Sequence, residues 1–465
     1  VRYERLLEGL EVTILSYKEA FFADPIGRLD SSFFEKRFIA IRELSNKWDL
    51  LDTHARSIVC GPFGSNLLNE NYVEQGIPLI RPFNLRGCRA DRGEVALLED
   101  SFVENEGLKT FGVGTVMFAR VGDIGAGISL YEKATISPNI IAAELSDSIN
   151  PFFVAIFSNT KYGRAQLEAG MKVVAQPTIS TDSIRSLRVP PLSKVFQTSI
   201  AETFKKLISH DDLARQLILK AEQDLLCTLG LDKWSPPEAL SYVRSSNEAF
   251  AAGRLDSQYF APRVTELMKR LGRDGLCLSD VAPVRHERFN PADTGHFDYI
   301  EIGGLGADGT ATAETLAQSE APSRATQFVR AGDVITSTVR PIRRLSALIA
   351  HEQDGNVCSS GFVVLDPQKI SGEVLLTYLR LPLVCELMDL HTIATMYPAI
   401  SEADLLALPI PDIDANTQRA IQQSVRDAAR SREKANNLLN AAKWAVEIAI
   451  EDSEAAALAY LEALN

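Results

Sequence analysis

Arginine and asparagine side chains recur on short polar turns along this sequence, and their functional groups suit one kind of chemistry. A guanidinium fork or a carboxamide can read the edge of a guanine or an adenine in a major groove, while neighbouring Lys, Ser and Gly amides hold phosphates. The turns are GPFGSNL (Gly61–Leu67) with Ser65 and Asn66, IRPFNLRG (Ile80–Gly87) with Arg81, Asn84 and Arg86, and ARVGDIG (Ala119–Gly125) with Arg120. MKVVAQ (Met171–Gln176) adds Lys172 and Gln176, VRHERFN (Val284–Asn290) adds Arg285, His286 and Arg288, and STVRPIRR (Ser337–Arg344) adds Arg340, Arg343 and Arg344.

Bond-making chemistry has weaker support. GLGADG (Gly304–Gly309) fits GxGxxG after the strand-like FDYIEI, but Arg330 rather than an acid stands some twenty residues on, so a plain glycine turn is expected. DIGAG (Asp123–Gly127) and NPFF (Asn150–Phe153) loosely resemble the glycine loop and NPPY-type tetrad of adenine methyltransferases, with Phe152 where the tetrad has its second proline. The six histidines show no HExxH spacing, and no GxSxG elbow is present, so neither a metal nor a catalytic triad is expected.

The chain has 465 residues, 46% of them hydrophobic, enough for several domains. No apolar run approaches the ~18 residues of a membrane span, and the first residues lack the apolar core of a signal peptide, so a cytoplasmic protein without membrane contact is expected. Six scattered cysteines without a CxxC read as core thiols. The net charge of -13 argues against a polyanionic partner, but its distribution does not. Arg324–Arg344 holds five arginines and one acid, whereas Glu433–Asn465 holds two lysines and six acids.

The elements that must position the turns come in two sets. GRLDSSFF (Gly27–Phe34) returns as GRLDSQYF (Gly253–Phe260), and further segments recur in the same order. LIRPFNLRG, from Leu79, lies opposite YIEIGGLGA, from Tyr299; GVGTVMFARV, from Gly112, lies opposite RAGDVITSTV, from Arg330. AQPTISTDSIRSLRVPP (Ala175–Pro191) matches MYPAISEADLLALPIPD (Met396–Asp412) without a gap and sets Tyr397 opposite Gln176.

After each copy the period changes to that of packed helices. Ile200, Phe204, Leu207, Asp211, Ala214, Ile218, Ala221 and Leu225 step by four and three; their gapless partners are Ile421, Val425, Ala428, Arg432, Ala435, Leu439, Ala442 and Val446. Two long helices with a heptad seam are predicted, the first spanning roughly 45–50 Å. In an antiparallel pair Asp211 and Arg432 either face each other or snorkel at the edge of the seam. The expected fold is α+β, with two pseudo-symmetric strand-rich domains separated by two long antiparallel coiled-coil helices. The predicted limits are 1–195 for the first domain, 196–232 for its helix, 233–252 for a linker, 253–411 for the second domain and 412–465 for its helix.

With these residues the sequence resembles a specificity subunit of type I restriction-modification systems. The resemblance rests on GPFGSNLLNENYVEQGIPLIRPFNLRG (Gly61–Gly87), on AQPTIS with LRVPP and YPAIS with LPIPD each followed by a long helix, and on RLDSxxF opening each half. It implies two target recognition domains, each reading half of a bipartite site in double-stranded DNA, on helices that set the half-site spacing and recruit two methyltransferase subunits. It further implies a restriction/translocase subunit, S-adenosylmethionine on the methyltransferase partner, and no cofactor or catalytic residue in this chain. The second copy departs from the pattern: it lacks GxFGS, and Tyr397 replaces the glutamine of QPxIS. An adenine methyltransferase and a coiled-coil protein-binding adaptor are the alternative readings.

Overall fold

The computed structural model describes residues 13–22, 30–62, 67, 69–91, 93, 95–171, 177–236, 239–292, 294–306, 308–393 and 396–463. It forms two compact units, Val1–His210 with Glu433–Asn465, and Asp211–Arg432. Among the described residues no helix is long and apolar enough to cross a membrane.

The first unit is built on two small sheets. One is antiparallel throughout, in the order Ala55–Cys60, Ile140–Leu145, Val116–Ala119, Ala126–Ile128; the other runs Tyr72–Val73, Ala96–Leu98, Ile77–Ile80, Thr135–Ile136 and ends in a parallel pair. All four residues of Val116–Ala119 are buried, as a central strand covered on both faces requires. The helix Pro151–Ser158 is apolar and buried from Phe153 onward. Its start is set by Pro151 in the first turn and by Asn150, whose side chain accepts the Phe152 amide N–H at 3.0 Å. A second helix, Lys161–Ala169, follows at once, and Gly163 lets it pass: a Cβ there would lie 2.2 Å from the Phe157 carbonyl oxygen.

The second unit repeats the centre of this plan. Val334–Ser337 pairs antiparallel with Ser346–Leu348 and Phe362–Leu365, as Val116–Ala119 does with Ala126–Ile128 and Ile140–Leu145. Val334 lies opposite Leu348 and Leu365 just as Val116 lies opposite Ile128 and Ala143. The parallel pair recurs as well, Tyr299 and Ile300 with Val357 and Cys358, like Leu79 and Ile80 with Thr135 and Ile136. A bridge between Val284 and Leu365 stands where the first unit has its fourth strand. Helices Gly372–Leu379 and Pro382–Leu390 complete the match.

RLDSxxF does the same local job twice. Asp30 accepts the Phe33 amide at 3.1 Å and Asp256 accepts the Tyr259 amide at 3.0 Å, so the aspartate caps the turn that delivers two adjacent aromatic rings. Gly27, Arg28 and Leu29 lie outside the described residues.

The two long helices are Lys194–Leu229 and Ala415–Glu451. In the first unit Ile200, Phe204 and Leu207 share a core with Ala435, Ala442 and Val446, with Leu439 packed on its margin. In the second, Ala221, Leu225 and Leu229 share one with Ile421 and Val425, with Ile218 at the margin. Successive positions on one helix thus meet receding positions on the other, so the pair is antiparallel. The α+β architecture, the two like-topology sheet domains and the helix pair are those expected. Arg432 makes its ion pair outside the seam, with Nε 2.9 Å from Asp308, while Asp211 is buried at 8% exposure.

Candidate nucleic-acid interface

In the first unit, hydrogen bonds gather several of the polar turns at one end of the sheets. The Ser137 amide donates to the Ile80 carbonyl at 2.9 Å, Gly61 to Ile140 at 3.0 Å, Arg120 to Asn139 at 2.9 Å and Ile179 to Arg120 at 3.0 Å. The ends of three strands and the segment after Gln176 therefore converge on Ser137–Asn139. Asn139 is exposed there and was not among the sequence candidates. The second unit repeats the junction: Thr338 donates to Gly361 at 2.9 Å, Ile400 to Thr338 at 3.0 Å and Ser360 to Arg324 at 2.7 Å. A polar break between two buried strands, SPN in one copy and SSG in the other, is the signal that marks this segment in the sequence.

The candidates differ sharply in what they present. Arg81 lies with its guanidinium 4.5 Å from the Phe83 ring centroid, and Arg86 is exposed. Arg120 is half-buried, its Nε donating to the Ile179 carbonyl at 3.2 Å. Asn84 is fully buried and its Oδ1 accepts the Arg81 amide N–H at 2.9 Å, so it shapes the turn from inside. Asn84→Ala is expected to cost about 1–2 kcal/mol of first-unit stability, read as a lowered denaturant midpoint in Trp48 fluorescence. Ser65, Asn66, Lys172 and Gln176 lie outside the described residues.

In the second unit His286, Arg288, Arg340 and Arg343 are exposed, and Tyr397 is 65% exposed with the Arg340 guanidinium 5.4 Å from its ring centroid. Arg285 and Arg344 are engaged within the protein instead. Arg285 donates to both oxygens of Asp333, at 2.8 and 3.0 Å, and lies 3.1 Å from Asp366. Its hydrogen bonds to Asp333 raise its pKa above the ordinary arginine value. Arg344 donates to the Arg380 carbonyl at 2.7 Å and pairs with Glu222. These two arginines and Asn84 hold loops rather than present free polar groups, because each meets a partner supplied by the folded chain. Arg330 likewise pairs with Glu287, which leaves Arg324, Arg340 and Arg343 as the exposed cations of the basic stretch.

The motifs that suggested bond-making chemistry do not assemble. Asp123, Gly125 and Ala126 line one groove with Arg86, Asn159 and Lys443, where Asp123 pairs with Arg164 at 2.8 Å. Asn150 and Pro151 line a different one, with Lys194 and Gln197. In GLGADG, Asp308 accepts from both the amide and the hydroxyl of Thr310 and meets Arg432; burial alone would raise its pKa, but Arg432 and Thr310 hold it below the usual carboxylate range. Burial pushes the Cys88, Cys358 and Cys385 thiols up to about 12, which leaves them protonated and unreactive at neutral pH. Among the described residues no cluster of three or more His, Cys, Asp or Glu could hold a metal ion.

No protein-family model and no curated protein matches the chain. Among solved structures it is similar to the type I restriction-modification S subunit from M. genitalium, at 14% identity and a TM-score of 0.37, over 90% of this chain and 96% of that one. A structure addressing assembly and conformational transition of the type I restriction-modification system matches at 15% and 0.29, over 87% and 97%. The HsdS subunit from Thermoanaerobacter tengcongensis matches at 14% and 0.30, over 88% and 97%. Likenesses at these values carry no residue role across to this chain. By these matches the chain is similar, over about nine-tenths of its length, to solved subunits of type I restriction-modification systems.

Proposed function

We propose that this chain is the non-catalytic DNA sequence-specificity subunit of a type I restriction-modification complex. Each sheet domain is a target recognition domain that reads one half of a bipartite site in double-stranded DNA. The antiparallel helices set the half-site spacing and dock two methyltransferase subunits, which carry S-adenosylmethionine; a restriction/translocase subunit completes the complex. The observation that carries the reading is the duplication: one pattern of strand pairing and register occurs twice, and each copy gathers polar turns at the same end of its sheets. Two like readers in one chain are what a split target requires.

Within the first unit Arg81, Arg86, Arg120 and Asn139 are the proposed contacts, and Ser65, Asn66, Lys172 and Gln176 are proposed with them from the sequence alone. His286, Arg288, Arg340, Arg343 and Tyr397 serve in the second. Selection of bound duplexes from a random pool by the full chain at low salt tests the reading. Two short conserved blocks at a fixed separation are expected; a single contiguous block, or no enrichment, overturns it. Arg343→Gln is expected to reduce the slope of log affinity against log salt by about 1, with both blocks still selected, as removal of a phosphate contact would. The net charge of -13 is expected to keep binding weak without the methyltransferase subunits, so equal affinity with and without them would count against the assignment.

A methyltransferase reading has less support. Asn150 is occupied as a helix cap, and the two stretches that suggested it line separate grooves.

A further inference from the structure

The turn Thr338–Leu345 of the second unit has features that positioning an arginine does not require. Two of its non-glycine residues, Arg340 (φ 52) and Arg344 (φ 59), are in the left-handed region, on either side of the short 3-10 segment Pro341–Arg343. L-residues avoid this conformation, and it persists where surrounding contacts impose it. Here the Arg340 amide donates to the Pro398 carbonyl at 2.8 Å, and Arg344 is anchored on Arg380 and Glu222. The consequence is an outward apolar tip. Ile342 is 50% exposed, and Met396, whose carbonyl accepts from the Arg340 guanidinium at 3.4 Å, is 76% exposed. Arg343 follows Ile342 and Tyr397 follows Met396 in the chain, the Arg340 guanidinium lies 5.4 Å from the Tyr397 ring centroid, and neither Ser337–Arg344 nor Met396–Ile400 contains an acid.

Exposed apolar side chains next to cations and an aromatic ring suit one ligand in particular. Protein interfaces are also enriched in Met, Tyr and Arg, but here the arginines stand without an acid in either segment, and duplex DNA offers an apolar base stack between two rows of phosphates. Apolar wedges flanked by basic side chains enter base steps and kink the duplex, at a cost of a few kcal/mol per unstacked step that the added contacts repay. The matching turn of the first unit, Arg120–Gly125, is shorter and carries Asp123 near its tip, paired with Arg164. An acid there is unsuited to insertion between phosphates.

We infer that Ile342 and Met396 form a wedge that inserts into the base stack of the half-site read by the second unit, so that the DNA is unstacked in one half and not in the other. The inference rests on the DNA-reading function proposed above. Its test uses the full chain and a duplex recovered from the random pool, with 2-aminopurine placed in turn at each step of both halves. A several-fold rise in fluorescence on binding is expected at a step of one half only. The double variant Ile342→Ser/Met396→Ser is expected to lose that rise and about ten-fold in affinity, while selecting the same sequence blocks. Binding without any rise, a rise in both halves alike, or a rise unchanged in the double variant overturns the wedge while leaving sequence reading intact. A chain that enriches no sequence removes the reading function and the wedge with it. A double variant whose Trp234 unfolding midpoint drops is replaced by Ile342→Thr/Met396→Gln, which keep more side-chain volume at the tip.

Discussion

A chain truncated after Arg432 is expected to lose the cooperative unfolding of its first unit and to keep that of its second. The first unit is completed by Glu433–Asn465, whereas the second, Asp211–Arg432, is left whole by the cut. Truncation removes Val446 and Leu461 from the first core and uncovers Ile200, Phe204 and Leu207. A large apolar side chain contributes about 1.5–3 kcal/mol when fully buried, so these five together account for at most about 7–15 kcal/mol. That equals the whole stability of an ordinary domain, about 5–15 kcal/mol. The cut also deletes Glu447 and Glu454, which accept the Lys161 and Ser193 amides at 2.9 and 2.8 Å. Tryptophan emission separates the units, since truncation leaves Trp48 in the first and Trp234 in the second. Trp48 is expected to emit as in the unfolded chain without denaturant, while Trp234 keeps a sigmoidal transition. A Trp48 transition preserved within ~1 kcal/mol of the full chain would contradict the packing described.

Asp333→Ala is the second large effect. Asp333 is 1% exposed and accepts both the Arg285 guanidinium and the Arg330 amide, the latter at 2.8 Å. Removing Asp333 takes two hydrogen bonds from Arg285, which keeps Asp366 beside it and some solvent, and leaves the Arg330 amide without its acceptor, at about 2–4 kcal/mol in all. Only the Trp234 transition should move, by that amount. Asp333→Asn, which keeps an acceptor, should cost less than half as much. Under the proposed function DNA selection gives an independent reading, because Arg285 fixes the base of the turn that carries His286 and Arg288. Under conditions where the variant remains folded, the second sequence block is expected to be selected less sharply than the first. Equal loss in both blocks would mean that Asp333 matters for general stability alone.

The parts of this fold written in local spacing were legible in the sequence. The heptad seam is an example, because helical periodicity depends on residues three and four apart; Ile200, Phe204, Leu207, Ile421 and Val446 are all buried as that spacing requires. The repeat was legible for a similar reason, since the copies share spacing as well as residues. Individual functional side chains were not. Arg285 and Arg344 look like any other arginine on a polar turn, and what engages them stands far along the chain, at Asp333 and Glu222. Asn84 presents the same problem in reverse, its carboxamide turned inward by a backbone amide three residues away. Register sets Arg432 and Asp211 at one seam position without saying what either meets, and the fold brings Arg432 to Asp308. The convergence on Ser137–Asn139 arises from strand pairing across long separations, which single-sequence spacing does not encode.

The order in which the units can form during translation follows from how the first one is composed. Val1–His210 is made before Asp211–Arg432, yet it waits for Glu433–Asn465, and the later-made Asp211–Arg432 stretch can finish first. For as long as that wait lasts, Phe204 and its neighbours stay uncovered, so slower decoding between the two stretches should raise aggregation of nascent protein rather than assist its maturation.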